Sequence, residues 1–262
     1  MNERALRIAA PLWIGILFLL GWEALVEIER LPPYVLPGPV LVAETLWRDG
    51  PSLLGSLLVT LRITLAALSA AVILGGALAI LFAQSRLLEI SLFPYAVILQ
   101  VTPIVAIAPL IIIWLKDQVF LSLLVCAWIV AFFPVVANTT LGLNSADRNL
   151  VDLFRLYGAS RWQTLRFLRL PGALPYFLAG TRISGGLALI GAVVAEFVAG
   201  TGGTDTGLAS RILEAGYRLQ MPRLFAALLL LALTGILIFA ALSWLTRLLV
   251  GHWHESALPS ED

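Results

Sequence analysis

The chain has 262 residues, 60% of them hydrophobic and 13% charged, with a mean hydropathy of +0.95. Soluble domains carry about 25% charged residues, so a multispanning membrane protein remains, and a net charge of +1 gives no case for a nucleic-acid partner. The single Cys126 excludes a disulfide framework and a cysteine metal cluster, and two tail histidines, His252 and His254, remove most metal and histidine-base chemistry.

Crossing a hydrocarbon core of about 30 Å takes roughly 20 apolar residues. Six segments qualify: Ile8–Ile28, Ser56–Ala83, Ile90–Leu115, Gln118–Gly142, Ala173–Gly200 and Pro222–Val250. Each is expected to be helical, since backbone polar groups in lipid must be satisfied within the segment. The first follows Arg4 and Arg7 like a signal sequence. It is too long for one and lacks a clear small-residue cleavage site before Glu23, so an uncleaved span is expected. Leu31–Pro39 then reads as a stiff extended connector, and Val40–Trp47 as a short amphipathic helix at the interface.

The second span sets Ala67, Ala71, Gly75 and Ala79 at four-residue spacing. Small residues on one stripe let helices approach closely in lipid, so a helix seam is expected there. Arg62, near the outer end, is costly facing lipid and must snorkel or find an acid. The third span contains Pro94, Pro103 and Pro109, with Gln100 and Thr102 beside the middle one. Proline frees a carbonyl and bends a helix, and irregular backbone at membrane depth faces protein or a water-filled cavity. Gln100 and Thr102 are therefore candidates either for lining a pathway or for repairing the kink. In the fourth span, Asn138 suits a hydrogen bond that ties the bundle.

Residues 144–175 form the longest polar interruption, NSADRNLVDLFRLYGASRWQTLRFLRLPGALP. Arg148, Arg155, Arg161, Arg166 and Arg169 are opposed only by Asp147 and Asp152. Leu150, Val151, Phe154, Tyr157, Trp162, Leu165 and Phe167 supply apolar surface that argues against disorder. Two short helices are expected, with Asp147 capping the first and Gly158 in the left-handed C′ position. Ser160 would cap the second, which should stop before Leu170-Pro171. Such a pair either docks on a partner protein or lies on the lipid surface with its arginines among phosphates.

The fifth span runs through Gly180, Ser184, Gly185, Gly186, Ala188, Gly191 and Ala192 to Glu196. At 100° per residue, Glu196 falls about 20° from Gly185 and about 40° from Ala192, so the acid should point at another helix. An intramembrane acid is a functional candidate by default. Gate and structural ion pair, with Arg62 as partner, both stay open. The loop Thr201–Met221 opens on TGGTDTG and continues into an expected short helix with Leu208, Ile212 and Leu219 on its apolar side. A phosphate-cradling P-loop needs Gly-Lys-Ser/Thr, and the one lysine, Lys116, follows Leu115. The chain therefore has no such nucleotide site of its own.

With the N-terminus inside, the cytoplasmic basic residues are Arg4, Arg7, Arg86, Arg148, Arg155, Arg161, Arg166, Arg169, Arg182 and Arg247. Outside lie Arg30, Arg48, Lys116, Arg211, Arg218 and Arg223. The excess inside favours this orientation and puts both termini and the arginine-rich loop in the cytoplasm.

The loop resembles the cytoplasmic loop of ATP-binding-cassette importer permeases, which carries Glu-Ala-Ala, a glycine four residues on, and a run ending in Leu-Pro. Here stand Asp152-Leu153-Phe154, then Gly158-Ala159-Ser160-Arg161-Trp162, then Leu170-Pro171. Asp replaces Glu, and larger residues replace both alanines. The resemblance covers most of the chain and is nearest the nitrate, sulfonate and taurine branch, which includes thiamine-precursor and riboflavin-like uptake systems. It implies an all-α polytopic fold of six transmembrane helices, similar to type I importer permeases, as one permease domain over residues 1–262. It also implies ATPase coupling through Asp152, Phe154, Leu156, Tyr157, Gly158, Ala159, Ser160, Leu170 and Pro171. Expected partners are ABC ATPase subunits holding ATP and Mg, an extracytoplasmic solute-binding protein, a second permease copy and the lipid of a bacterial inner membrane. Gln100, Thr102, Ser184, Glu196 and Arg62 are the candidates for the translocation pathway.

The rival class is an ion- or proton-coupled secondary transporter, which tends to show inverted repeats and midplane charges. Neither is evident here, since Glu196 and Arg62 lie toward the outer surface. A membrane enzyme would need a nucleophile–histidine pair at membrane depth, and both histidines are in the tail.

Overall fold

The computed structural model describes residues 3–200 and 206–251, with side chains from Ala9 onward. The start of the TGGTDTG run and the two histidines lie outside the described residues. The described chain is helical: α1 (Glu3–Ile28), α2 (Pro39–Gln84), α3 (Arg86–Val101), α4 (Ile104–Trp114), α5 (Val119–Asn144), α6 (Arg148–Leu156), α7 (Arg161–Thr164), a π-helical turn (Leu165–Arg169), α8 (Leu170–Ala199), α9 (Leu208–Tyr217) and α10 (Met221–Val250). Five of these stretches are long and apolar enough to cross a membrane, and six if the bent pair α3–α4 counts as one span.

Two expectations about boundaries change. Val40–Trp47 is no separate interfacial helix, because α2 runs unbroken through it to Gln84. Pro51 is exposed and forfeits one backbone bond. Val42 and Leu53, on either side of it, are buried in one cluster that fixes both flanks. The third segment is not one continuous helix. It breaks at Thr102-Pro103 and the two halves meet at 98°. Pro94 and Pro109 stay inside helices, whereas Pro103 takes the N-cap of α4 in an extended conformation.

Contacts divide the chain into two units, with divisions inside α2, after Gly200 and inside α10. The first unit is Met1–Leu58 with Thr201–Ala232. Its core joins Val42 and Leu53 of α2 to Leu208 and Ile212 of α9 and Ala226 and Ala227 of α10. The Glu23 carboxylate accepts the Val40 N–H at 3.2 Å, which helps close the start of α2. The Leu31–Pro39 connector turns once, with the Val35 N–H donating to Pro32 O, so it is not fully extended. Leu219 does not join the apolar side of α9: it lies past the helix end, exposed, with φ of 56°.

The second unit is Val59–Gly200 with Leu233–Asp262, and its main seam joins α5 to α8. A β-carbon on Gly180 would stand 2.7 Å from Pro134 O, and one on Gly191 would stand 2.8 Å from Ala127 Cα. Only glycine allows these approaches, which give the lipid-exposed bundle its dispersion contacts. The small-residue stripe of α2 is a seam as well. Ala67, Ala71 and Ala79 are fully buried, and Gly75 faces Val135. Asn138 bonds within its own helix, Nδ2 donating to Pro134 O at 2.8 Å, rather than across the bundle. Gly180 of α8 packs against its β-carbon.

Candidate functional site

Between α5 and α8 the chain leaves the bundle through an elbow whose local bonds follow from its residue types. The Asp147 side chain accepts the Asn149 N–H at 2.8 Å and caps α6. At the other end, the Gly158 N–H donates to Arg155 O and the Ala159 N–H to Phe154 O. This is the paired bonding of a Schellman stop. Gly158 has φ of 70°, the left-handed conformation in which a side chain is disfavoured. Two residues later a capping box starts α7: Ser160 Oγ accepts the Gln163 N–H at 3.2 Å, and Gln163 Oε1 accepts the Ser160 N–H at 2.7 Å.

The second elbow helix does not stop before Leu170-Pro171. It widens into a π turn, with the Leu170 N–H bonding Leu165 O, and continues as α8. Proline has no N–H to offer and crowds the preceding turn. A wider turn absorbs that defect without ending the helix. Leu165 is buried with Ala79, Leu143 and Ala173, so the turn is seated in the bundle. The elbow and the fifth span are thus one mechanical piece.

The elbow presents apolar surface outward. Leu156 is 85% exposed, Tyr157 84% and Trp162 64%, while Phe154 and Ala159 are half-buried. Asp152 is exposed and pairs with Arg155 at 3.3 Å. Leu170 is half-buried, and Pro171 is exposed.

The pathway candidates do not converge on one place. Gln100 is exposed at the end of α3. Thr102, next to the break, donates its hydroxyl to Ile98 O at 2.6 Å. Ser184 is fully buried and donates to Ala131 O at 2.6 Å, locked in the α5–α8 seam. Glu196 is 2% exposed and accepts the Thr60 hydroxyl at 2.7 Å. Arg62 is exposed, two residues beyond Thr60 and on another side of α2, and makes no ion pair with Glu196. Sequence reasoning missed Thr60. Its signal was the Thr60, Thr64 pair at helical spacing inside an apolar run, both now buried. It also missed the π turn, whose signal was Pro171 following a capped helix with no stop residue between.

Comparison with known proteins places this architecture. The family described as binding-protein-dependent transport system inner membrane component matches residues 71–253. The chain is 38% identical over 249 residues to the riboflavin transport system permease protein RibX of Chloroflexus aurantiacus, covering 92% of this chain and 88% of that protein. It is 31% identical over 249 residues to the formylaminopyrimidine transport permease protein ThiX of Halalkalibacterium halodurans, covering 95% and 97%. The fold is similar to the inward-facing MetNI methionine ABC transporter, with a TM-score of 0.65 at 18% identity over 76% of this chain and 96% of that one. Membership in such a family implies ATPase and binding-protein partners, and it displaces the ion-coupled carrier. The chain belongs to the binding-protein-dependent transport system inner membrane components, and is a multi-pass permease subunit of an ABC importer whose ATPase is a separate subunit.

Proposed function

We propose that the elbow from Asp152 to Ser160 is the docking point for the ATPase, and that ATP and Mg bound by the ATPase move the permease through it. The observation that carries this reading is the join itself: a turn capped at both ends, with Leu156 and Tyr157 exposed, runs through the π turn into α8 without a flexible link. A rigid piece transmits displacement, and exposed apolar side chains need a partner that desolvates them. The elbow lies in the cytoplasm with both termini, as the arginine distribution favours. Two copies of the chain enclose the pathway, and the stripe Ile183, Ile190 and Phe197 on α8, exposed in the single chain, is available for their contact.

The relatives named for riboflavin and formylaminopyrimidine support a planar nitrogen heterocycle as the cargo, delivered by a binding protein that sets selectivity. Replacing Gly158 with Val tests the docking. A β-branched residue at φ of 70° is strained, so the variant should insert into the membrane normally and lose ATP-dependent uptake in reconstituted vesicles. Uptake at the wild-type rate would overturn the assignment.

A further inference from the structure

Beside the elbow lies a cavity of about 480 Å3 lined by four arginines, Arg86, Arg155, Arg161 and Arg169, and by no acid. Next to it, a largely apolar groove of about 710 Å3 runs between α2 and the start of α8, past Ile73, Gly76, Ala77, Ile80, Leu174 and Phe177, with Arg166 as its one charged lining residue. The two hollows follow one another along the same pair of elements. Along α2 the lining passes from Ile80 of the groove to Ala83 and Gln84 of the cavity, and along the second element from Leu170 back to Arg169 and Leu165. A long apolar slot therefore ends in a cationic pocket.

We propose that the pair is a binding site for one anionic phospholipid, with its phosphate among the arginines and an acyl chain along the groove. Two of the four charges are balanced from within, and among the described residues Arg161 and Arg169 pair with no acid. The acids of the elbow and the start of α3 among the described residues are Glu89, Asp147 and Asp152, and each is engaged. Glu89 pairs with Arg86 at 2.9 Å, Asp147 caps α6, and Asp152 pairs with Arg155 at 3.3 Å. Arg169 spends one donor on Ala83 O, at 3.2 Å, and so stands at the joint between the hollows. A second copy in the groove would meet the apolar slot but bring the same engaged acids, leaving the pocket cationic. A phosphate accepts several guanidinium donors at once, and basic pockets at helix ends suit anionic headgroups.

The test uses the whole complex in nanodiscs of dioleoylphosphatidylcholine containing a minor fraction of dioleoylphosphatidylglycerol, with native mass spectrometry counting lipid retained per permease chain. The wild-type chain should retain one phosphatidylglycerol in preference to phosphatidylcholine. Arg155→Gln with Arg161→Gln should lower that retention roughly thirtyfold. Ala77→Trp, which fills the slot, should lower it while leaving the arginines in place. Where the double variant fails to assemble, Arg161→Gln alone should give a roughly fivefold loss. Retention unchanged by the arginine variants would overturn the proposal. So would displacement of the lipid by inorganic phosphate, which would make the pocket a free-anion site. Absence of lipid in the assembled complex would assign the pocket to the ATPase, and a disulfide between two Ile73→Cys copies would assign the groove to the second permease; either refutes the lipid site.

Discussion

In the α5–α8 seam, Gly142, Gly180 and Gly191 are buried, and a β-carbon on any of them would meet the opposing helix at 2.7 or 2.8 Å. At the elbow, Gly158 is exposed with nothing within 4 Å of such an atom, yet its φ is 70°. The seam needs glycine for space, and the elbow needs it for conformation. The difference shows where each region's free energy is completed. The seam closes on itself, with Ser184 bonded to Ala131 O and helix backbones in contact. The elbow finishes only its backbone bonds and leaves Leu156, Tyr157 and Trp162 in the open. One region is a finished interior, and the other is half of an interface.

The largest expected effect breaks the seam. Gly180→Leu must displace the Pro134 carbonyl or part the helices, and overpacking costs about 1–3 kcal/mol, occasionally more. Loss near the top of that range is expected in denaturation of the detergent-solubilised chain. Gly186→Leu, six residues along the same helix with open space around it, should stay within about 0.5 kcal/mol. Equal damage from both would end the distinction between closed and open glycines.

The next effect sharpens the other side. Leu156→Ala with Tyr157→Ala removes apolar surface that the free chain does not bury, so unfolding of the permease should move by no more than about 0.5 kcal/mol. Affinity for the ATPase should nonetheless fall roughly thirtyfold, since apolar and aromatic anchors at interface centres cost about 2 kcal/mol when truncated. A binding titration against the purified ATPase decides it. Ser160→Ala is smaller again: loss of an N-cap costs about 1 kcal/mol. That loss should appear as faster hydrogen exchange across α7, because the capping box with Gln163 is what starts that helix.

Local chemistry made much of this legible before any coordinates. Asp147, Gly158 and Ser160 are cap and turn residues whose bonds lie within a few positions, and all three do locally what their types dictate. The four-residue stripe of α2 read correctly because periodicity is also local. The misreadings needed partners distant in sequence or a count of competing terms. Pro171 looked like a stop and Val40–Trp47 like a separate helix, but in each case the bond lost at a proline was outweighed by burial on both flanks, at Leu165 and Ala173 in the first and at Val42 and Leu53 in the second. Pro103 did break its segment, and nothing local separates it from Pro94 and Pro109. Glu196 was read as facing a helix, but its partner Thr60 is 136 positions away and no spacing rule could name it.

The smallest expected effect concerns the first unit, where an acid is satisfied by its own neighbours. Glu214 of α9 bonds Arg211 at 2.9 Å and Arg218 at 3.0 Å, and Arg211 also donates to Ser56 Oγ at 3.1 Å. The Arg211 hydrogen bond, opposed by partial burial and aided by the charges of Arg218, Arg211 and Arg223, lowers the Glu214 pKa from its ordinary 4.5. A carboxyl depressed in the folded state stabilises above its unfolded pKa, and that contribution is lost as pH falls through the lower, folded value. The order of α9 should therefore be independent of pH above about 4.5 and weaken below it. Hydrogen exchange across 208–217, corrected for intrinsic rates, would follow this. In Glu214→Gln the weakening with acid should vanish and protection at neutral pH should drop slightly, because the amide keeps an acceptor for Arg211 but loses the charge. Acid sensitivity that survives in Glu214→Gln would overturn the assignment of that stability to Glu214.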